Sequence, residues 1–260
     1  MRRIAIIGAG ISGLTTANLL KQDAEITIFE KSNGVGGRMS TRRAKPYFFD
    51  HGAQYFTAKT TKFQNFIQPM HDQGIIEQWN ARYVRIDGDQ IIERRNWHDE
   101  IPRYVGVPGM NHVAKFLANG IDIRFNTRIT SLSQNGKWQL IDHQHQQFDD
   151  FDWVISTIPS HQAAELLPKN IPFVSGINAI KMSACFALML GFNKSLPFEF
   201  DAAHVTNSDV SWIAVTRQKP KRSGPFTLMI HSSAKYADAH IDGDRDQAMR
   251  HLIEETAQII

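Results

Sequence analysis

The sequence predicts an α/β protein in which a parallel βαβ domain is joined to a second domain of mainly antiparallel strands plus helix. Three observations predict it. The chain opens on an apolar run, a glycine-rich turn, a helical pattern and a second apolar run, all before Glu30. A hairpin cue at Asp87-Gly88-Asp89 then breaks the parallel pattern, because two strands joined by so short a turn pair antiparallel. Finally, 260 residues that are 42% hydrophobic and 21% charged describe an ordinary globular chain, one that buries roughly three quarters of its unfolded surface and fills two modest lobes.

The first element is the strand Arg2-Arg3-Ile4-Ala5-Ile6-Ile7, closed by Gly8-Ala9-Gly10-Ile11-Ser12-Gly13. Leu14, Ala17, Leu19 and Leu20 come next at helical spacing, and Ile26-Thr27-Ile28-Phe29 makes a second strand ending on Glu30. A strand, glycine turn, helix and strand with an acid at the far end is the arrangement that binds a dinucleotide. Gly8 permits the tight turn, Gly10 lets backbone approach a pyrophosphate, and Gly13 lets helix and strand pack closely. Ile11 and Ser12 open the helix, whose free N–H groups and partial positive charge face the phosphates. The Glu30 carboxylate accepts from ribose hydroxyls and repels a 2′-phosphate, so the site suits an unphosphorylated adenosine ribose.

The segment after Glu30 separates flavin from nicotinamide. Lys31 leads into Gly34, Gly36 and Gly37, then Arg38 and Met39. A simple nicotinamide domain goes straight into its next helix here. This chain makes a second backbone approach, with an arginine suited to phosphate oxygens. The reading is a Rossmann-type FAD-binding domain. The plainer alternative is a flexible loop with a solvated basic patch of Arg38, Arg42 and Arg43.

Further along, Phe63, Phe66, Ile67 and Met70 have helical spacing, and strands over 79–86 and 90–94 flank the Asp87-Gly88-Asp89 turn. From Pro108 the pattern returns to the first domain: a helix through Val113, Phe116 and Leu117, a strand over 121–125, and strands over 128–133 and 137–142 around Asn135-Gly136. A buried strand over 153–159 comes after them. Strands over 184–190, 210–216 and 226–231 complete the second sheet, with Cys185 as a small core residue. The domains therefore divide as 1–60 with 105–170 for FAD, and 61–104 with 171–260 for substrate.

Several segments carry a resemblance. The Gly36-Gly37-Arg38 loop, Asp50-His51-Gly52-Ala53-Gln54-Tyr55-Phe56-Thr57, Val105-Gly106-Val107-Pro108-Gly109-Met110 and Ser156-Thr157-Ile158-Pro159 resemble the renalase-like branch of the FAD-dependent flavin amine oxidase superfamily. Weaker similarity runs through Ser211-Trp212-Ile213 and Met229-Ile230-His231-Ser232-Ser233. The resemblance implies that Gly52, Ala53, Gln54, Tyr55, Arg128, Ile129 and Thr157 join the first segment in binding FAD. It implies a substrate over the isoalloxazine ring that gives hydride to flavin N5, with oxygen then reoxidising the flavin and releasing hydrogen peroxide. The substrate it implies is an off-pathway isomer of reduced NAD(P). Gln54, Tyr55 and Phe56 stand near the ring, with core as the alternative for Tyr55 and Phe56; Trp212 and His231 face substrate or serve the second sheet.

The resembled branch continues beyond an equivalent of Ile260 with a strand, a Gly-Asp segment and a final helix that touch the flavin. Met249, Leu252, Ile253, Thr256, Ala257 and Ile260 trace an apolar helical stripe with no capping signal after it. The expectation is therefore a chain lacking the C-terminal flavin-contacting segment. Nanomolar retention needs roughly 12 kcal/mol, whereas a helix terminus gives about 1 kcal/mol and each charged hydrogen bond about 1.5–3 kcal/mol. FAD is thus expected to be held less well than by a longer form. Two alternatives stay open: a conventional flavin amine oxidase, and a truncated, non-catalytic flavin or nucleotide-binding protein.

Other classes are disfavoured. A formal charge of +3 is too small to argue for nucleic acid. The single cysteine excludes an intrachain disulfide and a cysteine metal site. His143 and His145 lie in a polar hairpin, read as a solvated turn rather than a metal site. Arg217, Lys219, Lys221 and Arg222 read as a solvated basic loop or an attractor of substrate phosphates. No stretch reaches the length of a membrane helix, and the glycine fingerprint uses the residues of the signal-like start, so a cytoplasmic enzyme acting on a small molecule and O2 is expected.

Overall fold

The computed structural model describes residues 1–260, the side chain of Asp99 excepted. Backbone contacts divide the chain into two compact units, Met1–Met39 with Ala114–Met182, and Ser40–Val113 with Ser183–Ile260.

The first unit is built on four parallel strands in the order Asp122–Arg124, Ala24–Phe29, Arg2–Ile7, Trp153–Ser156. Ile4, Ala5, Ile6 and Ile7 are all buried, the mark of a central strand covered on both faces. The helix Ile11–Leu20 buries Gly13, Leu14 and Ala17. Leu19, read as part of that apolar pattern, is 71% exposed, because only one stripe of so short a helix meets the sheet. The strand at Trp153 is an edge, and Trp153 is 56% exposed; the expectation of a buried strand is corrected accordingly. A second, antiparallel sheet of Ile129–Asn135, Lys137–Asp142 and Gln147–Phe151 turns at Gly136 (φ 74°). Ile129, Leu132, Leu140 and Phe151 from it share a core with Ala5, Ile7 and Phe29. Its third strand escaped sequence reading because the preceding turn is entirely polar: Asp142 Oδ1 accepts from the Gln144 and Gln146 amides.

The second unit centres on six strands in the order Ala187–Phe192, Phe226–Ser232, Val210–Val215, Ala202–Thr206, Arg82–Asp87, Gln90–Asn96. Neighbours are antiparallel except for Ala202–Thr206 beside Arg82–Asp87. Tyr236 from the helix Ala234–His240, and Ala248 and Leu252 from Arg245–Ile259, enter the same core as Val84, Ile213, Leu228 and Ile230. On the last helix Ala248, Leu252 and Thr256 are buried, four residues apart, while Met249 and Ile253 are 44% and 39% exposed. The apolar stripe is therefore narrower than its residues suggested. Cys185 is exposed, not core, since the strand begins only at Ala187.

Residues 40–60, read from sequence with the first domain, group with the second unit. The strands Thr41–Ala44 and Tyr47–Asp50 pair with each other, and Phe56–Thr57 pairs with Arg103–Gly106. Among the described residues no helix is long and apolar enough to cross a membrane.

Candidate functional site

In the first unit the glycine turn folds as its sequence demands. Gly8 takes φ +104°, open only to glycine at low cost. A Cβ on Gly13 would lie 2.0 Å from the Gly8 carbonyl oxygen and 2.9 Å from Thr157 Oγ1, so any side chain there would push the helix off the strand. At Gly10 a Cβ meets nothing within 4 Å, and the space beside it belongs to a cavity of about 650 Å³, within the range of ligand clefts of about 300–1,000 Å³. The second glycine loop closes on the first: Gly36 bridges to Gly10, and its amide donates to the Ala9 carbonyl at 2.9 Å.

Glu30 is buried at the cavity wall. Its Oε2 accepts from the Ala9 amide at 2.7 Å and its Oε1 from the Ser32 amide at 2.8 Å. A carboxylate offers about four lone-pair sites, so two bracing bonds leave acceptors for ribose hydroxyls. The helix Ile11–Leu20 has no side-chain cap and no acid in its first turn; its first N–H groups keep their anion-binding capacity. The Thr157 hydroxyl is taken up by the Ile7 and Gly8 carbonyls, at 2.9 and 3.1 Å, and fastens the turn to the edge strand.

Of the residues expected to bind FAD, Gly8, Gly10, Ile11, Ser12 and Glu30 line this cavity. So do Lys31, Gly36, Gly37, Arg38 and Met39 from the second loop, and Arg128, Ile129 and Thr157 from the far side. Gly13 stands behind the wall as packing. Sequence reading missed Thr127, His143, Gln162 and Glu165, which also line it; His143 is thus a rim residue and not merely a solvated turn. Lys31 reaches Gln162 at 3.4 Å, while Arg38 and Arg128 are exposed and form no ion pair among the described residues. The cradle carries uncommitted positive charge and open backbone donors where a diphosphate fits.

Gly52, Ala53, Gln54 and Tyr55 belong to the second unit, where a different cluster forms. Asp50 is 2% exposed. It accepts from Thr41 Oγ1 at 2.6 Å, the Met110 amide at 2.9 Å and Arg222 Nη2 at 2.5 Å. Burial alone would raise its carboxyl, but Lys219, Arg222 and these donors outweigh burial and hold it below the ordinary value. Lys219 is 2% exposed, donates to Gln54 Oε1 at 3.0 Å and lies 5.1 Å from the Trp79 ring centroid. Burial pulls it down to about 8 against the attraction of Asp50. The loop is therefore not a solvated basic face. Lys219 and Arg222 turn inward, and Lys221 pairs with Glu77. An acid closing the apolar run Tyr47-Phe48-Phe49-Asp50 was the available signal, since a buried carboxylate requires a cationic partner.

Gln54 works on its own loop. Its Nε2 donates to the Asp50 and Gly52 carbonyls at 2.6 and 3.0 Å, which spends both amide hydrogens expected to serve the flavin ring. Tyr55 and Phe56, adjacent on an extended segment, point to opposite sides. Tyr55 packs against Trp97 and Trp212 at 5.0 and 5.8 Å, whereas Phe56 packs on Phe63 and Tyr104. Trp97 and Trp212 stack at 6.3 Å and 19°, with the Arg103 guanidinium 4.2 Å from the Trp97 centroid. Trp212 faces His231 across neighbouring strands, and its Nε1 is buried without a partner among the described residues. His231 Nε2 stands 3.1 Å from the His51 carbonyl. A carbonyl only accepts, so Nε2 carries the hydrogen and Nδ1 a lone pair when the ring is neutral. Burial pushes His231 down, and the charge of Lys219 adds to that push.

Two family models match the chain. A NAD(P)-binding Rossmann-like domain matches residues 6–70, and the flavin-containing amine oxidoreductase model matches residues 81–258. The chain belongs to the flavin-containing amine oxidoreductase family. As a member it is an FAD-dependent oxidoreductase, and the cavity of the first unit has the donors and space FAD requires. Renalase from Mus musculus is 22% identical over 289 residues, covering 100% of this chain and 80% of that protein. A 4,4′-diapophytoene desaturase of Staphylococcus aureus is 38% identical over 77 residues, but over only 25% of this chain and 15% of that protein. Among solved structures, a putrescine oxidase with putrescine bound has a TM-score of 0.74 at 13% identity, over 99% of this chain and 81% of that one. A fatty acid isomerase from P. acnes has a TM-score of 0.75 at 12% identity, over 99% and 82%. At such identities these structures share the fold, and their substrates differ widely within it.

Proposed function

We propose that this family member is an oxidase of renalase type, taking hydride from a dihydronicotinamide isomer of NAD(P) and passing the electrons to O2. The observation that carries the proposal is the similarity to renalase over 100% of the chain, where the desaturase match spans a quarter of it. Bound FAD would supply a two-electron acceptor for the hydride, whose electrons, with one proton from solvent, would reduce O2 to hydrogen peroxide and leave the oxidised nicotinamide.

The residues of the chain supply position and polarity. In this reading the first unit holds FAD by Glu30 at the ribose and by the Ile11 and Ser12 amides, Arg38 and Arg128 at the diphosphate. In the second unit the faces of Tyr55 and Trp212 suit a planar ring, and the unspent Trp212 N–H suits a carboxamide oxygen. A dihydronicotinamide already releases hydride readily, so no strong base is required. A half-buried His231 whose proton affinity is depressed by burial is consistent with that chemistry.

The family match over residues 81–258 also favours a second reading, oxidation of a simple amine. Anaerobic mixing separates the two. Loss of flavin colour with reduced-nicotinamide isomers, and none with putrescine or benzylamine, is the expected result. Bleaching by amines alone would overturn the proposal in favour of an amine oxidase.

A further inference from the structure

The segment Asp50–Gln54 is bracketed from within. Gln54 reaches back to the Asp50 and Gly52 carbonyls and so clamps His51 between its two anchors. The His51 carbonyl in turn receives His231 Nε2 at 3.1 Å. What holds Gln54 itself is Lys219 Nζ, 3.0 Å from Gln54 Oε1. The aliphatic stem and ammonium of Lys219 are fixed in turn by burial and by the Trp79 face. All of these residues lie in the second unit.

We infer that Lys219 is a positioning residue for the flavin reaction: through Gln54 it locks the Asp50–Gln54 segment, and through the His51 carbonyl it fixes the orientation of the His231 ring with its hydrogen on Nε2. The relay is Lys219 to Gln54, Gln54 to the backbone around His51, and His51 to His231. The charged groups around it are few. Lys219 is influenced by Asp50 and Arg222, and His231 by Lys219 and His51. Asp50 is already engaged by Arg222, Thr41 and Met110, so its charge is largely committed, and Lys219 remains the cation that opposes protonation of His231. A lysine removed from water loses its proton more readily than in solution, and Lys219 sits at about 8. Its charge, and with it the field at His231, changes within the range where the protein is handled. Loss of the proton keeps a donor to Gln54 but removes a repulsion that adds to burial in disfavouring the His231 cation.

The inference rests on the reading that places His231 at the substrate, yet its test needs no substrate. Holoenzyme labelled with 13C and 15N in histidine is titrated by NMR, with His231→Asn assigning the signal. The expected result is an Nε2–H neutral tautomer, plus a shift step in the His231 ring near pH 8 as Lys219 deprotonates. In Lys219→Met the step is absent, and the acid midpoint of His231 rises. Lys219→Arg keeps the tautomer and the low midpoint but shows no step. Absence of any step in the unmodified protein between roughly pH 7 and 9.5, the span around a shifted lysine, overturns the relay even if both variants fail to fold. A folded Lys219→Met with an unchanged His231 signal overturns it as well. A relay that holds while the pH profile of flavin reduction is blind to the same step supports the structural relay, but overturns the placement of His231 beside substrate and with it the part of Lys219 in the flavin reaction.

Discussion

Asp50 ends an apolar strand with a carboxylate, and its three donors come from Thr41, Met110 and Arg222, residues far apart in the chain. Removing one partner of such a pair leaves an uncompensated buried charge, at a cost of about 3–5 kcal/mol. Arg222→Met is therefore expected to lower the unfolding free energy in urea by that amount at neutral pH, Lys219 softening the loss. The sign with pH is fixed: a carboxyl held below its ordinary 3.8 contributes stability above that value, and the contribution disappears as pH falls through the lower folded value. The unmodified protein should thus lose part of its stability in acid that Arg222→Met has already lost. A variant within about 1 kcal/mol of the parent, the range of an exposed ion pair, would remove Arg222 from this role. At this scale the sequence was half legible. Gln54 stood out in its segment, but Asp50 passed as part of a motif, and Lys219 and Arg222, 165 and 172 positions from their partners, looked like an ordinary basic loop. Charge patterning is local and carries no trace of a long-range pairing.

The glycine turn with its helix, and the second glycine loop that closes on it, form the element to which we assign cofactor retention. Arg38 lines the cavity and has no ion-pair partner among the described residues, so its charge is free for a phosphate. Replacing Arg38 with Met should weaken FAD binding by about 1.5–3 kcal/mol, roughly tenfold to a hundredfold in Kd, with unfolding unchanged. Flavin fluorescence titration measures this, and an unaltered Kd would return Arg38 to the solvated patch. This element was legible because everything that defines it is local: apolar run, glycine spacing, helical period and terminal acid fall within one stretch of chain. The strand Ala202–Thr206 was not legible, because it pairs in parallel with Arg82–Asp87, 119 positions earlier in the chain. The strand Gln147–Phe151 was hidden by polarity, since it edges a small sheet with only Phe151 buried.

Across the whole molecule, two discontinuous units divide the work: the first builds a cradle for a dinucleotide, and the second assembles aromatic rings and a buried ionic network. The residues expected to act together from sequence accordingly fall into two groups. The glycines, Glu30 and Arg38 lie in one unit, and Gln54, Tyr55, Trp212 and His231 in the other. FAD should therefore stabilise the protein through the first unit. At a hundred times Kd the gain is about 2.7 kcal/mol, which for a chain of this size raises the melting temperature by roughly 5–10 °C.

The most direct test is an equilibrium titration of the purified, folded protein with FAD beside Gly13→Ala, whose Cβ would collide with the Gly8 carbonyl. Saturable binding of one FAD per chain, lost or weakened at least about tenfold in Gly13→Ala, is the result expected. A folded parent that takes up no FAD, or a Gly13→Ala protein that binds it equally well, would contradict the assignment of the glycine cradle as the flavin site.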